Sequence, residues 1–271
     1  VQVHWSGRDE LGALSSQFNA MSRALAVQAE TSRRELEAAE RVQSHLLPPA
    51  ELQIGDVVIA GHCQQKGPVG GDVYDVQRLP DGRVSLLIAD LSGHNVAAAL
   101  HTALVRGLVS RESERAGTPS EVLNQLNRRL VHDLPEDHFA SALLVWFDPE
   151  SHELIYANAG HPAALLRHAD GRMEELPFTG LPLGILPDET IGERALRLEP
   201  GAVVVLYTDG LTEARDREGQ LWGADRLRAW LESEPLTRPG ESVKRLLARE
   251  ASYRDGTPRD DDLTVVFLQV S

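Results

Sequence analysis

Cysteine is almost missing from this chain of 271 residues, and the single Cys63 can close no internal disulfide. With no CxxC pair and no cysteine and histidine cluster there is no zinc site to read, and a reducing, cytoplasmic setting is expected. Long apolar runs are missing as well: none approaches the ~20 residues that cross a bilayer, and no signal-peptide pattern opens the chain. Positive charge is in deficit, with 27 Lys and Arg against 41 Asp and Glu and a formal net charge of -14. That balance excludes a protein that grips nucleic acid through a counterion-displacing basic face. What the chain does have is length and an apolar fraction of 42%, enough for one large domain, or a domain plus an appendage, without staples. It begins with Val1 rather than Met, so a piece of something longer is expected.

No proline interrupts residues 8–46, and Leu11, Leu14, Phe18, Met21 and Leu25 recur at alternating steps of three and four. This spacing predicts a coiled-coil seam on one long helix. The rhythm runs on through Ala29, Ser32, Leu36, Ala39, Gln43 and Leu46 only if two steps of four follow each other at Met21, Leu25 and Ala29, which shifts the register. Small and polar residues make this second stretch a weak associator, and Pro48 with Pro49 ends the helix. The opening GRDELGALSSQFNAMSRAL resembles the last part of a HAMP signal-relay module, with an acidic pair and a glycine ahead of the second helix of a dimeric bundle. The resemblance implies that residues 1–47 are the end of such a module plus a coiled-coil linker helix. It also implies a homodimer through that helix, and a sensor or membrane segment upstream in the full protein, so that the chain is the cytoplasmic part of a membrane-anchored receptor.

Beyond Pro49 the pattern changes. DVVIAGHCQ, DVYDVQRL, RVSLLIAD, FASALLVWFD, HELIYANA and AVVVLYTD alternate or run apolar with β-branched enrichment, and read as strands. PDG at 80–82 and DPES at 148–151 read as hairpin turns, and helices fit 96–112, 119–134, 224–232 and 241–253. Strands joined by tight turns, with helices clustered between them, predict an α+β fold of antiparallel sheets covered by helices over residues 48–271.

Four aspartates stand at the ends of predicted strands, LTVVFL being a further one: Asp72 in VGGDVYD, Asp90 in LLIADLSGH, Asp209 in VVLYTDGLTE and Asp261 in RDDDLTVVFL. A carboxylate drawn to the margin of a buried sheet is costly unless a cation neutralises it. Several converging carboxylates imply a metal, and oxygen donors without cysteine or repeated histidine point to Mg2+ or Mn2+. Two such ions can activate water for attack on phosphorus, so phosphomonoester hydrolysis is the expected reaction class. Asp81 and Asp148 are better read as turn residues beside Gly82 and Pro149, Asp260 and Asp262 as solvated neighbours, and Asp75 as a capping or orienting group.

With VQSHLLPP, VGGDVYD, IADLSGH followed by AAAL, NAGHPAALL, GLPLGI, YTDGLTEA and DDLTVV in this order, the chain from about Glu40 to Ser271 resembles the bacterial PPM phosphatases of the sporulation and stress sigma-factor regulator type. The resemblance implies a central β-sandwich flanked by helices, with two or three Mn2+ or Mg2+ ions at one edge. It makes Asp90 the bridging ligand, adds the Leu91 backbone carbonyl, gives Asp72 to the second ion and Asp209 and Asp261 to the first. Asp261 is preferred to Asp262 because the family's ligand opens the segment that reads DDLT here. Catalytic roles fall to Asp90, Asp209 and His94, the last being placed to protonate the leaving oxygen or bind phosphate; a structural hydrogen bond within its loop is the equal alternative. Asn95 stands where the family has glycine. The implied activity is hydrolysis of phosphoserine or phosphothreonine on a STAS-domain anti-anti-sigma factor, which would free that partner to bind an anti-sigma kinase.

Gly70, Gly71 and Gly210 allow the backbone to close in beside Asp72 and Asp209, and the helix opened by Gly93 offers its N-terminus to a phosphate. His161 reads as structural, tying the turn between Asn158 and Pro162. His4, His101, His132 and His152 read as ordinary, and Lys66 as a weak candidate for a phosphate-binding cation. GGDVY shares its first three residues with diguanylate cyclases, but Val73 replaces the next acid, and the 20 residues between Pro49 and Gly70 are too few for the preceding half of such a domain. A catalytically silent relay that only binds a phosphoprotein is the other alternative, disfavoured by the four aspartates.

Overall fold

A computed structural model describes residue 3 and residues 10–93, 96–135 and 138–271; His4, His94 and Asn95 lie outside the described residues. The long helix α1 (Glu10–Leu46) stops ahead of Pro48, and Leu11, Leu14, Phe18, Met21 and Leu25 lie exposed along it. After it come β1 (Glu51–Ile54), β2 (Val57–Gln64), β3 (Asp72–Arg78) and β4 (Val84–Leu91), then α2 (Val96–Ser113) and α3 (Pro119–Asp133). The chain continues through β5 (Ala140–Phe147), β6 (Glu153–Ala159), β7 (Ala164–Arg167), β8 (Met173–Leu176), β9 (Arg194–Arg197) and β10 (Val203–Tyr207). It closes with α4 (Asp209–Thr212), α5 (Gly223–Ser233), α6 (Pro239–Arg254) and β11 (Leu263–Val270). The strands pair antiparallel in two sheets, ordered β1-β2-β11-β10-β7-β8 and β3-β4-β5-β6-β9. Sequence periodicity anticipates the long strands and the four long helices of this unit. It misses β1, β7, β8 and β9, whose four residues are too few to show a period.

Alternation along each strand decides what each face meets. Val84, Leu86 and Ile88 on β4, Leu143, Val145 and Phe147 on β5, and Val266, Leu268 and Val270 on β11 fill the space between the sheets. The opposite residues Leu87, Ala89, Ala142, Leu144 and Trp146 pack with Val105 and Val109 of α2 and Leu123, Leu126 and Leu130 of α3. On the other sheet Ala60, Val203, Val205, Val265 and Phe267 pack with Leu227 and Leu231 of α5 and Leu246 of α6. Three apolar layers result, and each fully buried Leu, Ile, Val or Phe contributes about 1.5–3 kcal/mol to holding them. The hairpin turns fall where the sequence places them: Asp81 accepts from Arg83 N, and Asp148 accepts from Glu150 N and Ser151 Oγ.

At one end of the sandwich the inward-facing rows change character. Two residues past the last apolar position stand Asp72 on β3, Asp90 on β4, Ser141 on β5 and Thr264 on β11, with Thr208 just beyond β10. Asp72 is paired with Asp90, and Asp90 with Ser141, directly across the ladder. The fold therefore gathers these side chains into one polar layer above an apolar core.

Candidate active site

Asp72 is 2% exposed, and its Oδ2 accepts from Thr208 Oγ1 and Thr264 Oγ1, both at 2.7 Å. Two threonines of one sheet thus hold an aspartate of the other. Burial, then the neighbouring Asp90 charge, pushes the Asp72 carboxyl well up, while the threonine hydroxyls pull it back. Asp90 is pushed up to about 7, first by burial and then by the charges of Asp209, Asp261 and Asp262. Asp209 opens the one-turn α4 and is also raised, by burial and then by Asp261 and Glu213. The structure therefore brings Asp72, Asp90, Asp209 and Asp261 into one electrostatic neighbourhood, in which like charges cannot all stay ionised without a cation.

Asp262 is a correction. The sequence reading makes it a solvated neighbour, yet it is 4% exposed and braces the glycine loop. Its Oδ1 accepts from Lys66 N at 2.7 Å and its Oδ2 from Gly71 N at 2.7 Å and Asp72 N at 3.5 Å. Its backbone N–H in turn donates to Oδ1 of the exposed Asp261 at 2.8 Å. The paired glycines are required by crowding: a Cβ on Gly70 would stand 2.0 Å from Asp262 Oδ2, one on Gly71 2.1 Å from the Leu91 carbonyl oxygen, and one on Gly210 1.8 Å from the Asp262 carbonyl oxygen. Asp75 does orient, with Oδ1 3.0 Å from Arg106 Nη2, and Asp260 stays exposed near Arg215.

Among the described residues, no three His, Cys, Asp or Glu side chains surround one point closely enough to hold an ion alone. An ion here would draw on carboxylate pairs together with backbone carbonyls, Leu91's among them, and water. That hard, all-oxygen donor set suits a divalent ion that keeps part of its hydration.

Several neighbours escape sequence reasoning. Gln43 of α1 is 8% exposed; its Nε2 donates to Gly70 O at 2.9 Å and its Oε1 accepts from Gly70 N at 3.2 Å. The helical rhythm marks it only as a weak seam position, and a glutamine between Ala39 and Leu46 of that stripe is the one hint of a specific partner. Thr208 and Thr264 stand inside quoted motifs, but only the inward phase of β10 and β11 singles them out. Lys66 Nζ donates to Asp260 O at 2.6 Å. His161 is tied through its backbone to the Asn158 side chain, as its turn predicts. His152 is not ordinary: at positive φ, it sets Nε2 2.7 Å from Asp56 Oδ2. His101 meets the His138 ring edge-on, with centroids 6.3 Å apart.

Comparison with known proteins accords with this fold. A family model described as Stage II sporulation protein E (SpoIIE) matches residues 80–271. The chain is 25% identical over 294 residues to Protein IcfG of Synechocystis, covering 96% of this chain and 46% of that protein, about half its length. It is 28% identical over 236 residues to phosphoserine phosphatase RsbU of Bacillus subtilis, covering 87% of this chain and 70% of that one. The solved SiaA-PP2C domain of Pseudomonas aeruginosa aligns with a TM-score of 0.78 at 25% identity, covering 91% of this chain and 100% of that chain.

Proposed function

The chain belongs to the SpoIIE family, and from that premise we propose that it is a metal-dependent protein phosphatase acting on phosphoserine or phosphothreonine. The observation that carries the reading is the pairing of Asp72 with Asp90 across the β3–β4 ladder, with Asp209, Asp261 and Asp262 near enough for their charges to raise the Asp90 carboxyl. Asp72, Asp90, the Leu91 carbonyl, Asp209 and Asp261 would hold the proposed pair of Mg2+ or Mn2+ ions. When bound, such ions supply an activated water and neutralise charge on the phosphoryl group. The protein's own contribution is preorganisation. Thr208 and Thr264 fix Asp72 Oδ2, leaving Oδ1 free for an ion, and Asp262 holds the Gly71 loop against the Leu91 carbonyl. His94 is assigned the proton given to the leaving seryl oxygen, or a hydrogen bond to bound phosphate.

The substrate proposed is a phosphorylated STAS-domain anti-anti-sigma factor in a partner-switching pathway. An assay of phosphate release from such a protein, with and without Mn2+, tests the whole reading, with Asp209→Asn as control. Turnover that needs Mn2+ and vanishes in the variant is expected; metal-independent turnover, or none in either protein, counts against it. A catalytically silent relay that only binds a phosphoprotein is the second reading. Calorimetry showing no heat on Mn2+ addition would support it.

The domain boundary near residue 47 and the role of α1 belong to the same proposal. The exposed row Leu11, Leu14, Phe18, Met21 and Leu25 is assigned to a second copy of the helix, and Gln43 couples the last turns of α1 to Gly70. Removing residues 1–40 is expected to change activity or its regulation; unchanged turnover and unchanged regulation in the full-length protein would sink the coupling. No helix among the described residues is long and apolar enough to cross a membrane.

A further inference from the structure

The proposed chemistry leaves one buried polar pair without a task. His161 is 3% exposed, with Nδ1 2.7 Å from Ser141 Oγ, and its buried Nε2 makes no hydrogen bond. Ser141 stands directly opposite Asp90 in the β4–β5 ladder, and both face the interior. Cross-strand neighbours carry Cβ atoms about 4.5–5.5 Å apart, so a turn of the Asp90 side chain would bring its carboxylate to the serine hydroxyl, although no hydrogen bond joins the two here and Ser141 Oγ pairs with His161 alone. Asp72, Asp261 and Asp262 all accept hydrogen bonds. Among the described residues, Asp90 has no donor of its own.

Burial holds the His161 imidazole neutral, with its pKa pulled down to about 3, so the ring carries one N–H. Were that proton on Nε2, the Tyr207 backbone would be its one neighbouring acceptor, and the contact falls short of good hydrogen-bond geometry, so part of the about 1–3 kcal/mol cost of an unpaired buried donor would remain. On Nδ1 it is satisfied by Ser141 Oγ, and the serine's own proton is then free to turn elsewhere. An acceptor left unsatisfied, as Nε2 would be, is the more tolerable defect.

We propose that His161 and Ser141 are positioning residues for Asp90: the imidazole N–H fixes the serine hydroxyl, which donates to the Asp90 carboxylate and sets its orientation. The inference rests on Asp90 being a metal ligand, as proposed above, and it assigns a task to the histidine of the NAGHP segment beyond tying its turn.

The test compares the wild type with Ser141→Ala and Ser141→Thr. Three readouts apply: Mn2+ affinity by calorimetry, kcat and KM on p-nitrophenyl phosphate, and thermal unfolding without metal. The tautomer of His161 is read separately by 15N NMR of the histidine-labelled wild type. Ser141→Ala is expected to weaken Mn2+ about 10-fold or more, the usual cost of losing an outer partner of a ligand, and to lower kcat with KM little changed. Ser141→Thr, which keeps the hydroxyl, is expected to restore both to within about 3-fold. The imidazole proton is expected on Nδ1. If Ser141→Ala bound Mn2+ like the wild type, even with a lower Tm, the pair would be structural only. A proton on Nε2 would also overturn the proposal, whatever the variants do. A wild type that bound no Mn2+ would end the metal reading instead, and the NMR arm would still decide the chain of hydrogen bonds.

Discussion

Asp90 is where chemistry and stability pull apart. In the metal-free protein burial, then the charges of Asp209, Asp261 and Asp262, push its carboxyl up to about 7, against ~3.9 in an unfolded chain. Between those values the folded state binds a proton that the unfolded state has lost, so this group's contribution to stability falls as pH rises from about 4 to about 7 and stays low beyond. Asp90→Asn removes the liability. Thermal unfolding without metal should give the variant the higher Tm at about pH 8, with the difference shrinking toward pH 4, while added Mn2+ raises only the wild type. Gly71 makes the opposite demand. In Gly71→Ala the new Cβ would meet the Leu91 carbonyl oxygen at 2.1 Å, so backbone must move; a stability loss of about 1–3 kcal/mol is expected, with Mn2+ binding lost in calorimetry while circular dichroism keeps its form. The four aspartates and the glycines are readable from sequence because their types are rare in strands. Asp262 is misread because nothing in DDD says which carboxylate turns inward to meet backbone N–H groups. Only the inward phase of β11, carried back from Thr264, orders them.

At the scale of elements, the acidic loop is moored by helix α6. Glu250 is fully buried, with Arg254 Nε at 2.6 Å and Arg259 Nη2 at 2.9 Å. Arg259 lies two residues before Asp261. Glu250→Gln leaves two guanidinium groups without their buried counter-charge, and urea unfolding should register a loss of about 3–5 kcal/mol. The helix α1 is joined to the site through Gln43. Gln43→Ala would leave the Gly70 N–H and carbonyl unpaired, with an expected cost of about 1–3 kcal/mol and a shift in kcat on p-nitrophenyl phosphate. Val42→Ala, at the exposed neighbouring position, should move neither. Long elements are legible because β4, β5 and the helices repeat their pattern often enough to be counted. The one-turn α4 and the four-residue strands take their form from ladders with distant partners, β7 against β10 for instance, and no local window contains that information.

For the whole molecule, the αββα layering follows from strands such as β4 and β5 that are apolar on both faces and so need cover on both sides. The free seam of α1 makes an assembly-level prediction. Leu14→Asp, at a position 62% exposed, should leave the catalytic unit folded and shift sedimentation equilibrium toward monomer; a wild type that is monomeric at all concentrations would refute the pairing. The ladder between β3 and β4 carries a wider implication. Because Asp72 and Asp90 face each other on the same strand phase as Tyr74, Leu86 and Ile88, a slip of one residue would send the carboxylates under a helix and exchange the interior's contents with them. Quality control of these two carboxylates is thereby delegated to oil and water. A mispaired copy would lose its packed interior together with its aligned carboxylates, so misregistration and instability coincide.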